Sequence, residues 1–299
     1  MSNSPDGGSL TQAQSYALVV VAAVLLSAIL APVAYDRATQ PDGTVAVVTI
    51  EGPITSNSAT AVQKDLREAR ENESIDAVVL NVDSPGGGAA ASEQLYLSVQ
   101  RTAAEMPVVA SVTSTGASGA YYAMLPAEDI YVTPASIVGS VGVRAAAPGP
   151  SLPGEVKSGP DKASATADQR RTQVETLQNA FVGSVMKHRS DDLDLSRTEV
   201  AHAKVYSGAR AVDNGMADDI GSTQDAIRQA ANAADLDDYE VYRKEPPRTG
   251  GLFLLSADDG GTVVVERSPV GYETVDTPTL LMVYGTVQTE SEVIGNVSA

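Results

Sequence analysis

Cysteine and tryptophan are absent from this 299-residue chain, and histidine and phenylalanine each occur twice. Without cysteine there is no disulfide, no zinc–cysteine site, no iron–sulfur cluster and no thiol nucleophile. Two histidines, His188 and His202, leave no room for a histidine-rich metal centre. Lysine is scarce as well: six Lys stand beside 14 Arg, 22 Asp and 16 Glu. The formal net charge of −18 argues against nucleic acid as the main partner, because a phosphate backbone needs a basic face. Aspartate above glutamate, arginine above lysine and few large aromatics match a proteome adapted to molar salt, such as that of a halophilic archaeon. There a carboxylate surface keeps the protein hydrated, and a Debye length of about 3 Å limits its self-repulsion. An ordinary acidic domain is the alternative. In so lysine-poor a chain, each lysine that is kept invites a question.

What is present begins with a polar tail, residues 1–14, that has no Lys or Arg. Tyr16–Tyr35 is apolar and uncharged over roughly 18 residues, the length of one membrane helix, so residues 15–35 are expected to form a transmembrane anchor. A cleaved signal peptide is the alternative, with Ala31-Pro-Val-Ala34 as its cleavage site, but the basic stretch that should precede it is missing. Flanking charge does not orient the anchor, since no basic residue precedes it and Arg37 follows beside Asp36.

From Gly43 the pattern alternates between short apolar runs and amphipathic charged ones. Val45–Glu51, Ala77–Asp83, Pro107–Thr113 and Ile130–Thr133 read as strands, and Ser58–Glu73 and Ala89–Glu105 as helices. Strands interleaved with helices predict βαβ units and a mainly parallel sheet. Residues 144–166 form a Pro/Gly/Ser/Ala-rich loop, followed by a long helix over Ala167–Lys187 and shorter ones at Ser196–His202 and Thr223–Ala234. After Pro246 the chain is turn-rich and β-prone, with runs at Thr262–Glu266 and Leu280–Tyr284. The expected organisation is a core domain at 43–240 and a C-terminal appendage at 241–299.

Three motifs carry chemistry. Ser84-Pro-Gly-Gly-Gly88 follows a strand and precedes a helix, so its backbone N–H groups can face a ligand with no side chain intervening. An anion-stabilising loop, a plain tight turn and a loose dinucleotide fingerprint are all open readings, the last without the acidic residue it requires. Gly116-Ala-Ser-Gly-Ala120 places Ser118 where a strand turns into a helix, which suits either a nucleophile or a helix N-cap. Lys157 and Lys162, two of the six lysines, share one loop. Each is either a solvated surface residue or a desolvated amine able to accept a hydroxyl proton. His188, between Lys187 and Arg189, and His202 are expected to be solvated surface residues.

Taken together, Val79-Leu-Asn-Val-Asp-Ser-Pro-Gly-Gly-Gly88, Val108-Val-Ala-Ser-Val112, Gly116-Ala-Ser-Gly-Ala-Tyr-Tyr122 and Val138-Gly-Ser-Val-Gly-Val143 resemble the S49 serine peptidases, the signal peptide peptidase A family. Lys157-Ser-Gly-Pro-Asp-Lys162 is similar to that family's lysine loop, and Val205-Tyr-Ser-Gly208 through Gly221 to its closing segment. The resemblance covers about residues 43–235, and more weakly Thr279–Tyr284. It implies a ClpP/crotonase-like α/β fold of repeated βαβ units, here preceded by one transmembrane helix.

Carried over by position, the resemblance makes Ser118 the nucleophile and Lys162, rather than Lys157, the general base. Gly87 and Gly119 become the oxyanion donors, and Ser140 the group that orients the lysine. It implies no metal, nucleotide or other cofactor. The expected protein is a membrane-anchored endopeptidase, single-pass and extracytoplasmic, that hydrolyses apolar peptides such as released signal peptides and forms a homo-oligomeric ring. Two departures stand out: Ala120 replaces a second glycine after the serine, and the stretch from Val143 to Lys157 is short. The alternatives are an acyl-CoA enzyme of the crotonase type and a catalytically silent membrane scaffold on the same fold.

Overall fold

The computed structural model describes residues 41–145 and 166–244, a few residues between Tyr16 and Ala28, and the backbones of three short strands further on. It divides into two units, Met1–Asp42 and Gly43–Ala299. In the first, Tyr16, Val20, Val21, Val24 and Leu26 are helical and exposed. Most of the expected anchor lies outside the described residues. Among the described ones no helix is long and apolar enough to cross a membrane.

The second unit opens with β1 (Gly43–Glu51), α1 (Ser56–Glu71) and β2 (Ile75–Ser84). Helix α1 starts two residues earlier than its charge pattern predicts, because Thr55 and Ser58 close a capping box. Ser58 N–H donates to Thr55 Oγ1 at 3.2 Å, and Thr55 N–H donates to Ser58 Oγ at 2.9 Å. Its buried stripe, Ala59, Val62, Leu66 and Ala69, has the 3–4 residue spacing of one helix face. In β2, Val78, Leu80 and Val82 join one core while Ala77 and Val79 join a second. That two-sided burial is why the strand reads as a continuous apolar run.

The chain continues through β3 (Gly86–Gly88), α2 (Ala89–Ala103), β4 (Val108–Ala117), α3 (Gly119–Met124), β5 (Asp129–Val132) and β6 (Ile137–Gly139). Beyond residue 165 come α4 (Ala167–Arg189), α5 (Arg197–Ala201), β7 (Val205–Ser207), α6 (Gly208–Asp213), β8 (Asp219–Ile220), α7 (Thr223–Ala233) and β9 (Tyr239–Arg243). The main sheet runs β7-β6-β4-β2-β1-β9, with β5 on β4 and β8 on β5. Its pairings are parallel except β6 with β7, so the expected α/β architecture of βαβ units is the one found.

One face of the sheet is covered by α1, α2 and α3, whose Leu66, Leu95 and Met124 pack on Leu80 and Val112. The other face is covered by α7, whose Ala226, Ile227, Ala230 and Ala231 pack on Val45, Val47, Val79 and Val109. Strand β4 changes partner along its length: Val109–Val112 pair with β5 and Thr115–Ala117 with β6. The chain therefore leaves the body of the sheet just before Ser118.

The expected boundary at residue 240 falls inside β9, which pairs with β1. Further on, β10 (Phe253–Ser256) pairs with β11 (Thr262–Val265), and β12 (Leu281–Val283) pairs antiparallel with the glycine strand β3.

Candidate active site

The glycine motif is a strand, not a turn. Ile54 N–H donates to Gly86 O at 2.9 Å and Gly88 N–H donates to Ile54 O at 2.8 Å, so one edge of β3 is bound to Ile54. A Cβ on Gly87 would lie 2.0 Å from Ile54 O; only glycine allows this approach. Gly86, at φ 90°, turns the chain into the strand, and its N–H donates to the buried Ser84 Oγ at 3.2 Å. Because backbone groups alternate edges along a strand, Gly87 N–H and C=O project from the edge opposite Ile54. Glycine has no strand propensity, so this extended geometry comes from the neighbour and cannot be read locally.

Ser118 joins β4 to α3 at φ 55° and ψ −121°, a conformation that costs a non-glycine residue about 1–3 kcal/mol. Hydrogen bonds on both sides hold the strain: Ser118 N–H donates to Gly139 O at 2.7 Å, and Tyr122 N–H donates to Ser118 O at 2.9 Å. The side chain makes no capping bond, so the N-cap reading does not hold. Its Oγ is buried and has no hydrogen-bond partner among the described residues. Gly119, the first residue of α3, carries an N–H that its own helix cannot satisfy. Ala120 is wholly buried in the core.

Ser140 sits beside this elbow. Strand β6 pairs Ala117 with Gly139, so Ser118 and Ser140 are the next residues on the two chains, and both adopt positive φ, 55° and 56°. Ser140 N–H donates to Lys204 O at 2.8 Å, and Ser140 O accepts from Gly142 N–H at 2.8 Å. Of the five residues expected at the site, the structure thus places Ser118, Gly119 and Ser140 on the two adjoining turns. Gly87 lies in β3, which packs against α3. The fifth, Lys162, lies outside the described residues, as does Lys157. Among the described lysines, Lys64 and Lys244 are paired with carboxylates of α1, and Lys187 and Lys204 are exposed.

His188 is not the solvated residue its charged neighbours suggest. It is half-buried, and its Nε2 lies 2.9 Å from Tyr96 Oη. Tyr96 stacks on Tyr122 at 4.8 Å between centroids, and Tyr122 packs on Phe181 at 4.8 Å. Burial, then the cations Lys187 and Arg189, hold the imidazole pKa below its ordinary value. His202 is exposed, as expected.

Sequence reasoning passed over Arg189. Its guanidinium is buried and grips Asp218 through two bonds of 2.9 and 2.8 Å and Gly215 O through two of 3.1 and 3.0 Å. Burial alone would lower its pKa, but the bonds to Asp218 outweigh that and raise it. Tyr121 of α3 joins the cluster by donating to Met216 O at 2.8 Å. The Gly215–Gly221 segment was a visible signal for part of this cluster; nothing marked the arginine. Two cavities of 120 and 140 Å³ lie along α1 and β1, and neither is lined by Ser118 or the glycine strand. No group of three or more metal-ligating residues occurs among the described residues.

The chain matches peptidase family S49 over residues 100–149 and 159–237, a span that holds Ser118, Ser140 and Lys162. It is 31% identical over 209 residues to the protein MJ0651 of Methanocaldococcus jannaschii, covering 64% of this chain and 67% of that one. It is 28% identical over 233 residues to Protease 4 of Salmonella typhi, covering 68% of this chain and 37% of that one. It is 27% identical over 248 residues to the chloroplastic serine protease SPPA of Arabidopsis thaliana, covering 74% of this chain and 36% of the relative. The chain thus spans little more than a third of the length of these last two. In fold it is similar to a variant of the 1510-N membrane-bound stomatin-specific protease in complex with a substrate peptide. That match has a TM-score of 0.50 at 17% identity, over 69% of this chain and 94% of the other. The chain belongs to peptidase family S49 and is a serine peptidase.

Proposed function

We propose that the chain is a membrane-anchored endopeptidase that works through a Ser118/Lys162 dyad. The observation that carries the reading is the Ser118 elbow: a strained, buried serine whose hydroxyl has no partner among the described residues, set beside Ser140 and on a helix that packs against the glycine strand β3. Neutral Lys162 accepts the Ser118 hydroxyl proton as Oγ attacks the peptide carbonyl carbon. The N–H groups of Gly87 and Gly119 stabilise the oxyanion, the kind of preorganised donor set that lowers acyl-transfer barriers most. Collapse breaks the C–N bond, and the departing amine takes the proton from the Lys162 ammonium. Water then attacks the acyl-enzyme, gives its proton to Lys162 and releases the acid as Ser118 regains its hydrogen. Ser140 orients the lysine, and no cofactor enters.

The substrates in this reading are extended apolar peptides at a membrane, such as released signal peptides. Residues 15–35 would anchor the chain as a single-pass protein with its catalytic domain outside the cytoplasm, and copies would assemble into a ring. Membership of a peptidase family sets aside the acyl-CoA enzyme and the silent scaffold.

The test is hydrolysis of an apolar peptide in molar salt by wild type, Ser118→Ala and Lys162→Ala. Both variants lose at least ~10³-fold in kcat. Wild-type activity rises with pH, since only the neutral amine accepts a proton. Loss in Ser118→Ala alone, or a flat profile with chemistry rate-limiting, removes Lys162 as the base.

A further inference from the structure

Among the described residues four buried side-chain polar atoms lack a hydrogen-bond partner; Ser118 Oγ is one and Ser92 Oγ another. Ser92 lies just inside α2 and is wholly buried. Its place is set by the tyrosines one turn further on. The rings of Tyr96 and Tyr122 stack at 4.8 Å with an interplanar angle of 4°, which fixes the faces that α2 and α3 turn to each other. A residue four positions earlier lies one turn back on the same helix face. Ser92 stands so before Tyr96, and Ser118 before Tyr122, whose N–H closes that turn on Ser118 O. Both helices also start at β3. Helix α2 continues directly from it, α3 packs against it, and the strands that precede them, β2 and β4, are parallel. The register therefore brings Ser92 and Ser118 to the same level of the α2–α3 contact, at the end nearest the glycine strand.

We infer from this register that Ser92 is a second working hydroxyl of the site: its O–H donates to Ser118 Oγ as that oxygen gives up its proton. The inference rests on the reading of Ser118 as the nucleophile. The Ser118 proton goes to Lys162 and Ser92 keeps its own, so the bond only stabilises the charge that builds on Oγ before it adds to the carbonyl carbon. A hydrogen bond to an ionised oxygen is stronger than one to a neutral hydroxyl. This one gains strength only as the transition state forms, which raises kcat and leaves KM alone. A serine reaches the bond by a change of χ1 alone, and catalytic hydrogen bonds commonly tighten only once substrate is in place.

Ser92→Ala tests it on an apolar peptide. Its kcat falls at least ~10-fold while KM stays within ~2-fold. The melting temperature does not drop, because a hydroxyl without a partner holds nothing together. Acylation of Ser118 by a fluorophosphonate probe slows by the same factor as kcat. The pH of half-maximal activity is unchanged, since Ser92 acts on Oγ and not on the lysine. Ser92→Cys, which fills the space of the serine with a weak donor, stays at least ~3-fold below wild type. Unchanged kcat and acylation in Ser92→Ala overturn the proposal. So does full recovery in Ser92→Cys, which makes the residue a space filler. A melting temperature that falls with activity makes it structural, and a shifted pH midpoint places it on the lysine; either overturns the proposal as well. Ser118→Ala separates this inference from the reading beneath it. If that variant still hydrolyses peptide and is still labelled, the nucleophile is elsewhere. If it is inactive while Ser92→Ala matches wild type, the nucleophile stands and only the role of Ser92 falls.

Discussion

Two buried hydroxyls sit one helical turn apart and lead opposite lives. Tyr121 Oη, in the middle of α3, donates to Met216 O at 2.8 Å and belongs to the cluster in which Arg189 grips Asp218 and Gly215 O. Ser118 Oγ, at the start of the same helix, has no partner among the described residues, and its backbone is held at φ 55°. A buried polar group normally makes its bonds, because leaving one unmade costs about 1–3 kcal/mol. The tyrosine follows that rule and fixes the helix in place. Among the described residues nothing does the same for the serine, and the fixed helix holds it in place. Strain persists where the surroundings are rigid enough to impose it.

The comparison breaks most visibly at the rigid end. Arg189→Ala leaves Asp218 and Gly215 O without their cation and lowers unfolding stability by about 3–5 kcal/mol in denaturant titrations. Tyr121→Phe removes only the bond to Met216 O, and a loss of about 1–2 kcal/mol is expected from the same measurement. At the strained end the sign reverses: Ser118→Gly abolishes hydrolysis but gains about 1 kcal/mol, since glycine accepts positive φ without a steric cost. A loss of stability there would mean that the serine is structural.

The smallest effect comes from His188, whose folded-state pKa lies below the usual 6.5 because of burial and then its cationic neighbours. As pH falls through about 6.5, the unfolded chain takes up a proton that the folded one resists. Stability therefore declines below that pH and is unaffected by this group above it. His188→Gln flattens the decline, read as the difference in denaturation midpoint between pH 5 and pH 8.

Most of the element order was legible because each local signal agreed with the global one. The apolar β2 is buried on both faces, and α4 and α7 appear within two residues of their expected ends. Ser118 was legible as a residue at a strand-to-helix turn, but its choice between cap and nucleophile was not, since that depends on whether the hydroxyl finds a partner. The strand character of Gly86–Gly88 was hidden because it is imposed by Ile54 and β12, which are distant in sequence. His188 misled for a related reason. Lys187 and Arg189 suggest solvent, yet α4 turns the imidazole toward Tyr96, and Arg189 itself is buried against Asp218. Charge at a position reports the side chain; burial is decided by the helix face.

The pairing of β1 with β9 has a consequence for how the molecule comes to exist. Gly43 through Val47 meet Tyr239 through Arg243, so the first strand of the domain is completed by the last of the main sheet. Long-range parallel pairing is slow, because the intervening chain must be ordered before the contact repays it. During synthesis the outer edge of β1 stays bare until residue 243 has been made. The peptidase domain can close its sheet only after nearly all of it has left the ribosome.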